Sequence, residues 1–314
     1  MAHVVKKMTN SEILAMKNEL SSSIQDKTPP GAIFTAKITE CTITAYQSGK
    51  VLFQGKRAEE ASQNYAGKLA PSKEKKTASK PVHGYAPPPN IAALSIIGSD
   101  EVGTGDYFGP MTVVAAYVSS EQLELVKELG VKDSKNLNDK QIVQIAKELI
   151  HTIPYSLLVL PNEKYNALQQ KGMTQGKIKA ILHNRALQNV KEKIEGKKLD
   201  GILIDQFCEP GVYFNYLKNE QNLLKEGLYF STKGESIHLS VAAASILARY
   251  SFLKEMDELG SQFNTVLPKG AGTHVDVKAA ELIEKHGEKI LNTLTKKHFA
   301  NTQKALNLLK KKRL

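Results

Sequence analysis

The sequence predicts an α/β fold on a mixed sheet flanked by helices, preceded by a smaller α+β unit. Three observations lead there. Two apolar runs, near residues 93–99 and 111–118, are short and bounded by Gly and Pro, so they read as consecutive buried strands. Beyond them, strand-like runs at 156–160, 200–205 and 228–231 alternate with helical patterns, the order expected of a sheet covered by helices. Ahead of them, a Pro- and Lys-rich stretch sets off a separate group of one helix, three strands and another helix.

The chain has 314 residues, enough for about two domains. Its hydrophobic fraction of 41% suits a soluble globular protein. The 43 Lys and Arg exceed the 32 Asp and Glu by 11 charges. That excess favours a polyanionic partner, nucleic acid first and anionic membrane second, although a solubilising surface is the plainer reading. Cys41 and Cys208 are the sole cysteines and stand far apart, which argues against a disulfide framework or a zinc ribbon and suits a reducing cytosol. The first residues lack the apolar core of a signal peptide. No run approaches the ~18 to 20 apolar residues of a membrane span. A soluble, cytoplasmic, monomeric protein with no membrane association and no obligate protein partner is expected.

In order, Asn10-Ser11-Glu12 offers a helix start, and Ile13, Leu14, Met16 and Leu20 continue it at helical spacing toward residue 25. Pro29-Pro30-Gly31 ends it. Strands are expected over 32–39, 42–46 and 51–54, the last two joined by a Gln47-Ser48-Gly49-Lys50 turn, with a helix over 57–65. Alternation places Phe34, Ala36, Ile38, Ile43 and Ala45 on one face and Thr35, Lys37, Thr39, Thr42, Thr44 and Tyr46 on the other. The second face, with Lys50 at its edge, could lie against a nucleic-acid backbone or simply be solvated. Residues 67–91 read as a linker, so the domain boundaries fall at 1–66, 67–91 and 92–314. Before residue 93 there are 13 Lys and Arg against 7 Asp and Glu, which makes the N-terminal unit a candidate binding module.

The second part opens with two strands joined by a turn that carries Asp100, Glu101 and four glycines. Acids where a strand leaves the core, beside glycines, are the parts of a metal or phosphate site; the duller reading is an acidic hairpin turn. Helices are expected over 121–129 and 141–150, with a polar loop at 132–139 between them. Further helices are expected over 162–169, 176–193, 239–259, 277–286 and 301–310, and Ala242-Ala243-Ala244-Ser245 offers a small-residue face for close packing. Asp200–Asp205 reads as a second buried strand ending in an acid. If the strands ending at Asp100 and Asp205 are neighbours, ~4.8 Å apart, their carboxylates can share a cation, with Glu101 and Glu235 completing the cluster. All-oxygen ligands favour Mg²⁺ or Mn²⁺, and two such ions would suit phosphodiester hydrolysis. By spacing alone, Asp205 can be an ordinary strand-end acid, and Glu235 reads more simply as a charge interacting with a helix dipole.

These residues carry a family resemblance. Asp100-Glu-Val-Gly-Thr-Gly-Asp-Tyr-Phe-Gly-Pro110 resembles the signature of the type 2 ribonucleases H. Asp133-Ser-Lys135, the strand ending at Asp205, Lys233 to Arg249 and Gly270-Ala-Gly-Thr-His274 are similar to the family's later blocks in the same order, covering about residues 93–275. Thr104 between the glycines, where ribonuclease HII typically has Arg, and the long N-terminal extension resemble the ribonuclease HIII branch. The resemblance implies a ribonuclease H-like catalytic domain and an N-terminal domain similar to the TATA-box-binding protein fold. It implies Asp100, Glu101, Asp205 and Glu235 as ligands of two Mg²⁺ or Mn²⁺ ions. It also implies that the Gly103-Thr104-Gly105 backbone contacts ribose 2′-hydroxyls and that Ser134 and Lys135 hold a backbone phosphate. Substrate contacts from Lys37, Tyr46 and Lys50 are expected on the N-terminal sheet.

The activity so implied is endonucleolytic cleavage of the RNA strand of an RNA/DNA hybrid, leaving 5′-phosphate and 3′-hydroxyl ends. One alternative is ribonuclease HII-like excision at single embedded ribonucleotides, against which no counterpart is identified for the tyrosine that reads the RNA–DNA junction in that branch. Another is a non-catalytic hybrid- or DNA-binding protein, although a pure polyanion binder gains nothing from clustered acids.

Overall fold

The computed structural model describes residues 3–29, 31–66 and 84–312. Contacts divide the chain into two compact units, Met1–Pro81 and Val82–Leu314. Residues 67–83 of the expected linker, and Pro30, lie outside the described residues.

The first unit runs β1 (His3–Lys7), α1 (Asn10–Glu19), β2 (Ala32–Ile38), β3 (Cys41–Tyr46), β4 (Lys50–Gly55) and α2 (Ala58–Ala66). Its antiparallel sheet has the order β1-β4-β3-β2. Strand β1 was not legible in advance: four of its five residues are exposed, so no apolar alternation marks it, and its pairing with β4 alone defines it. Helix α1 stops at Glu19 rather than near 25, because Ser21–Ser23 turn tightly and Ile24 bridges to Ala36 on β2. Thr9 caps α1 reciprocally with Glu12. Phe34, Ala36, Ile43, Ala45, Val51 and Phe53 form the core with Ile13 and Met16 of α1. The strand register places Lys37, Thr42, Thr44 and Tyr46 on the opposite face. Two threonines of that face are not solvated, against one of the two readings open for it. Thr35 and Thr44 are buried and hydrogen-bond to each other across the strand pair.

In the second unit, β5 (Ile96–Val102), β6 (Met111–Val118) and β7 (Tyr155–Leu160) are antiparallel neighbours. On the other side of β5, β8 (Gly201–Asp205) and β9 (Leu228–Ser231) run parallel to it, so the five-stranded mixed sheet has the order β7-β6-β5-β8-β9. The helices are α3 (Leu123–Glu128), α4 (Asp139–Thr152), α5 (Asn162–Gln170), α6 (Gln175–Lys193), α7 (Pro210–Tyr216), α8 (Leu239–Gln262), α9 (Thr273–His286), α10 (Ile290–Leu294) and α11 (Ala300–Lys312). Every residue of β6 is buried, which explains its unbroken apolar run: a sheet covered on both faces has no polar side to alternate with. Val113, Ala115 and Tyr117 meet α6 through Ile178, Leu187 and Val190. Val114, Ala116 and Val118 meet α8 and α4 through Ala242, Ala243, Ile246 and Ile145. A third cluster joins Tyr107, Phe108 and Phe252 to α9, α10 and α11. No described helix is long and apolar enough to cross a membrane.

One local expectation is corrected here. Asp100 and Glu101 belong to β5 rather than to the turn after it, paired with Val114 and Val113 of β6. The ladder continues through Val102 because the partner strand supplies acceptors and donors as far as Thr112. The turn proper is 103–110. It opens at Gly103, whose φ of +91° and whose added Cβ, 2.2 Å from the Pro110 carbonyl oxygen, admit only glycine.

Candidate active site

The site lies where β5 and β8 end side by side. Their register pairs Ser99 with Ile204, so the next residues on each strand, Asp100 and Asp205, are neighbours at the sheet edge. The Gly234–Ser236 turn ahead of α8 brings Glu235 to the same place. Asp100, Glu101, Asp205 and Glu235 together line a cavity of about 420 Å³, with Ser134, Lys135, Asp139, Ser245 and Arg249 among its other walls. Four acids from three separated segments thus share one cleft.

Strand alternation then sends the two adjacent acids of β5 to different sides. Asp100 shares the face of Gly98 toward α8, where Ser245 hydrogen-bonds its carboxyl. Glu101 shares the face of Ser99 toward α6. Lys179 Nζ donates to Glu101 Oε1 at 2.8 Å, and His183 Nε2 lies 3.0 Å from Oε2. The other ring nitrogen of His183 is 2.9 Å from Ser99 Oγ. Glu235 is held from the opposite wall: the Ser134 N–H and Oγ donate to Oε2 at 2.9 and 2.6 Å, and Lys135 Nζ to Oε1 at 3.1 Å. Asp205 Oδ1 accepts the Gly234 N–H at 2.7 Å.

The electrostatics follow these contacts. Burial, then the Glu101 and Asp205 carboxylates, push the Asp100 carboxyl well above the ordinary range. Asp205 is raised by burial and by Glu101 and Glu235, against the Gly234 hydrogen bond. Burial would raise Glu101 as well, but His183 and Lys179 outweigh it and hold that carboxylate below its usual value. Glu235 is lowered in the same way: Ser134 and Lys135 overcome its burial. Glu101 and Glu235 are therefore held by donors that outweigh their burial, whereas Asp100 and Asp205 are raised by burial and neighbouring carboxylates despite the Ser245 and Gly234 hydrogen bonds.

The four expected acids line one cleft, but they do not close on one point. Among the described residues, no group of three or more His, Cys, Asp and Glu side chains is set to hold a metal ion. The reason is visible in the pairings above, which draw Glu101 toward α6 and Glu235 toward Ser134. The four acids nonetheless offer only carboxylate oxygens, two of them raised by neighbouring negative charge, and that chemistry fits a hard divalent cation.

Gly103, Thr104 and Gly105 sit in the turn directly after β5, and Gln175 Nε2 donates to the Thr104 carbonyl at 3.1 Å. Ser134 and Lys135 lie beside Glu235. Lys37, Tyr46 and Lys50 belong to the first unit, with both lysines exposed and Tyr46 half-buried. His274 is exposed at the start of α9, its Nε2 3.3 Å from the Lys269 carbonyl oxygen. Sequence reasoning missed Lys179, His183 and Gln175, although the helix it placed over 176–193 holds the first two and begins one residue after the third. Their spacing, 175, 179 and 183, puts them on one stripe of α6, and a His set among apolar residues at that spacing was the available signal. It also missed Asp139, Arg249 and Lys269 as a group: Arg249 Nη2 lies 3.2 Å from Asp139 Oδ1, and Lys269 pairs with the other carboxylate oxygen.

Residues 97–302 match the family described as Ribonuclease HII, and the chain belongs to that family, the type 2 ribonucleases H. Residues 3–79 match a family described only as a domain of unknown function. Over its full length the chain is 61% identical to Ribonuclease HIII of Bacillus subtilis (strain 168), covering all of both chains. It is 57% identical to Ribonuclease HIII of Bacillus mycoides (strain KBAB4), covering 98% of this chain and 99% of that one. The crystal structure of Bst-RNase HIII in complex with Mn²⁺ superposes with a TM-score of 0.68 at 43% identity, covering 99% of this chain and 100% of that one. These similarities place the chain in the ribonuclease HIII branch, and it is an endoribonuclease of the ribonuclease H class.

Proposed function

We propose that the protein cleaves the RNA strand of RNA/DNA hybrids, leaving 5′-phosphate and 3′-hydroxyl ends, with Asp100, Glu101, Asp205 and Glu235 holding two divalent cations. One observation carries this reading: four acids from β5, β8 and the 234–236 turn line a single cleft, and the carboxyls of Asp100 and Asp205 are raised there by burial and by neighbouring carboxylates. A bound divalent cation would relieve that repulsion. When bound, Mg²⁺ or Mn²⁺ supplies Lewis-acid polarisation of a water and of the departing oxygen. The crystal structure of Bst-RNase HIII, a complex with Mn²⁺, supports that choice of cation.

The chain's own residues do the rest. Lys179 and His183 keep Glu101 ionised and oriented. Ser134 and Lys135 hold Glu235, and Lys135, whose side chain is largely exposed, can turn its ammonium to a substrate phosphate. The Gly103–Gly105 backbone meets the ribose, where the 2′-hydroxyl distinguishes RNA from DNA. Lys37, Tyr46 and Lys50 add sequence-independent grip on the duplex backbone.

The test is cleavage of an end-labelled RNA/DNA hybrid with Mg²⁺, Mn²⁺ or chelator. Wild type should cut only with metal. Asp100→Asn should lose more than ~100-fold in rate while its thermal unfolding temperature without metal stays equal or rises, because one repelling charge is gone. Full activity of that variant, or metal-independent cleavage, would refute the assignment. A duplex carrying a single ribonucleotide should be cut poorly; efficient cleavage there would favour the ribonuclease HII-like alternative.

A further inference from the structure

The turn that follows β5 is pinned on both sides of the Thr104–Gly105 peptide. On one side Gly103 has no conformational alternative, as its φ and the nearby Pro110 carbonyl require. On the other, the Tyr107 N–H donates to the Gly270 carbonyl at 2.9 Å, the Gly270 N–H to Asp106 Oδ1 at 2.6 Å, and Lys296 Nζ to the Asp106 carbonyl at 2.9 Å. Between these anchors, the Gln175 amide alone among the described residues touches the Thr104–Gly105 peptide plane. The contacting atom has to be Nε2, since a carbonyl only accepts. The same amide donates to the hydroxyl of fully buried Tyr165 at 3.2 Å, so Gln175 is itself anchored in the core.

A trans peptide is planar, with its C=O and N–H pointing in opposite directions. Fixing the Thr104 oxygen on Gln175 therefore turns the Gly105 N–H away from α6. Gly105 is exposed, a Cβ built on it meets nothing within 4 Å, and among the described residues its N–H has no protein acceptor. A backbone donor is thus held in fixed orientation facing open space, one turn away from the acids. Gln175 also leads the α6 stripe whose next members, Lys179 and His183, hold Glu101.

We propose that Gln175 is a specificity-determining positioning residue, which by holding the Thr104 carbonyl aims the Gly105 N–H at a ribose 2′-hydroxyl of the substrate. This rests on the reading of the 103–105 turn as the ribose contact. A 2′-hydroxyl can accept the bond and a deoxyribose cannot, so the preference for RNA depends on the orientation of one peptide. Through the shared stripe, the element that sets ribose recognition also sets the carboxylate used in cleavage.

The test measures affinity of the full-length Asp100→Asn protein, with divalent cations withheld so that the substrate stays intact, for an RNA/DNA hybrid and for a DNA duplex of the same sequence. It adds Gln175→Glu, nearly isosteric but unable to donate, and Gln175→Met, which removes the donor without adding charge. Both variants should lose about 5- to 10-fold in the hybrid-to-DNA affinity ratio, the worth of one hydrogen bond, with the DNA affinity of Gln175→Met unchanged. In the cleaving protein, Gln175→Met should raise KM on the hybrid more than it lowers kcat. If the parent protein itself shows no hybrid preference, the reading of the turn as a ribose contact fails. If the parent prefers hybrid and the Gln175 variants keep that preference, the role assigned to Gln175 fails while the reading of the turn stands. An equal loss on hybrid and DNA by Gln175→Met, or a loss by Gln175→Glu alone, also overturns it, since the first marks a merely structural role and the second a charge effect.

Discussion

Lys296 is completely buried, yet among the described residues no carboxylate pairs with it: its Nζ donates to the Asp106 and Gly109 carbonyls, and its own N–H to the Tyr107 carbonyl. Burial pulls its pKa down to about 7 from the ordinary 10.5, with Asp106 opposing. The unfolded chain therefore binds a proton that the folded chain lacks between these two values, so stability rises with pH across that window and is flat in this respect below it. The slope is at most ~1.4 kcal/mol per pH unit for one group. Lys296→Met should flatten the rise in unfolding free energy between pH 7 and 9.5; urea titrations with parallel slopes for both proteins would mean that the lysine is not the source. Nothing in the local sequence, Thr295-Lys-Lys-His298, distinguishes this lysine from its neighbour. Its burial is created by packing against a turn nearly 190 residues away.

At the scale of elements, the contact between β5 and α8 sets the position of Asp100. Gly98 lies where α8 begins: a Cβ there would stand 2.3 Å from the Val241 nitrogen and 2.5 Å from Ser240 Oγ. The small residues Ala242, Ala243, Ala244 and Ser245 continue the close approach, and Ser245 reaches Asp100. His238 caps α8 by accepting the Ser240 N–H, and burial lowers its pKa to about 4, so the cap stays neutral at physiological pH. Gly98→Ala should destabilise the protein by roughly 1 to 3 kcal/mol, as overpacking does, and reduce activity because Asp100 shifts with the strand. An unchanged urea midpoint would show that the helix can yield at no cost. The small-residue face was legible in the sequence; that it packs on the strand carrying the first acid was not.

For the whole molecule, charge is distributed unevenly between two units that each have their own core. The first 92 residues hold 13 Lys and Arg against 7 Asp and Glu. The sheet register puts Lys37 and Tyr46 on the face turned away from the helices, and exposed Lys50 opens β4 beside them. In the full-length protein, Lys37→Ala combined with Lys50→Ala should raise KM for a hybrid and reduce the slope of log affinity against log salt by about 1 for each phosphate that is no longer neutralised. Turnover at saturation should not change. An unaltered salt slope would remove this face from the binding surface. The buried Thr35–Thr44 pair narrows what such a face can offer, leaving the long side chains at its margins as the groups able to reach a phosphate.

The sequence by itself determined the class of fold and the order of most helices and strands, because apolar periodicity is a local pattern that survives without coordinates; it singled out Asp100, Glu101, Asp205 and Glu235 as a set only through the family resemblance. It also marked the ribonuclease family through several blocks in fixed order. Tertiary structure alone decided that Asp100 and Asp205 are neighbours, since strand order within a sheet is a long-range pairing. It alone decided that Glu101 turns to Lys179 and His183 while Glu235 turns to Ser134 and Lys135. Those choices depend on which faces meet, and on carboxylates in a poorly solvated cleft taking the nearest available donors; spacing along the chain encodes neither.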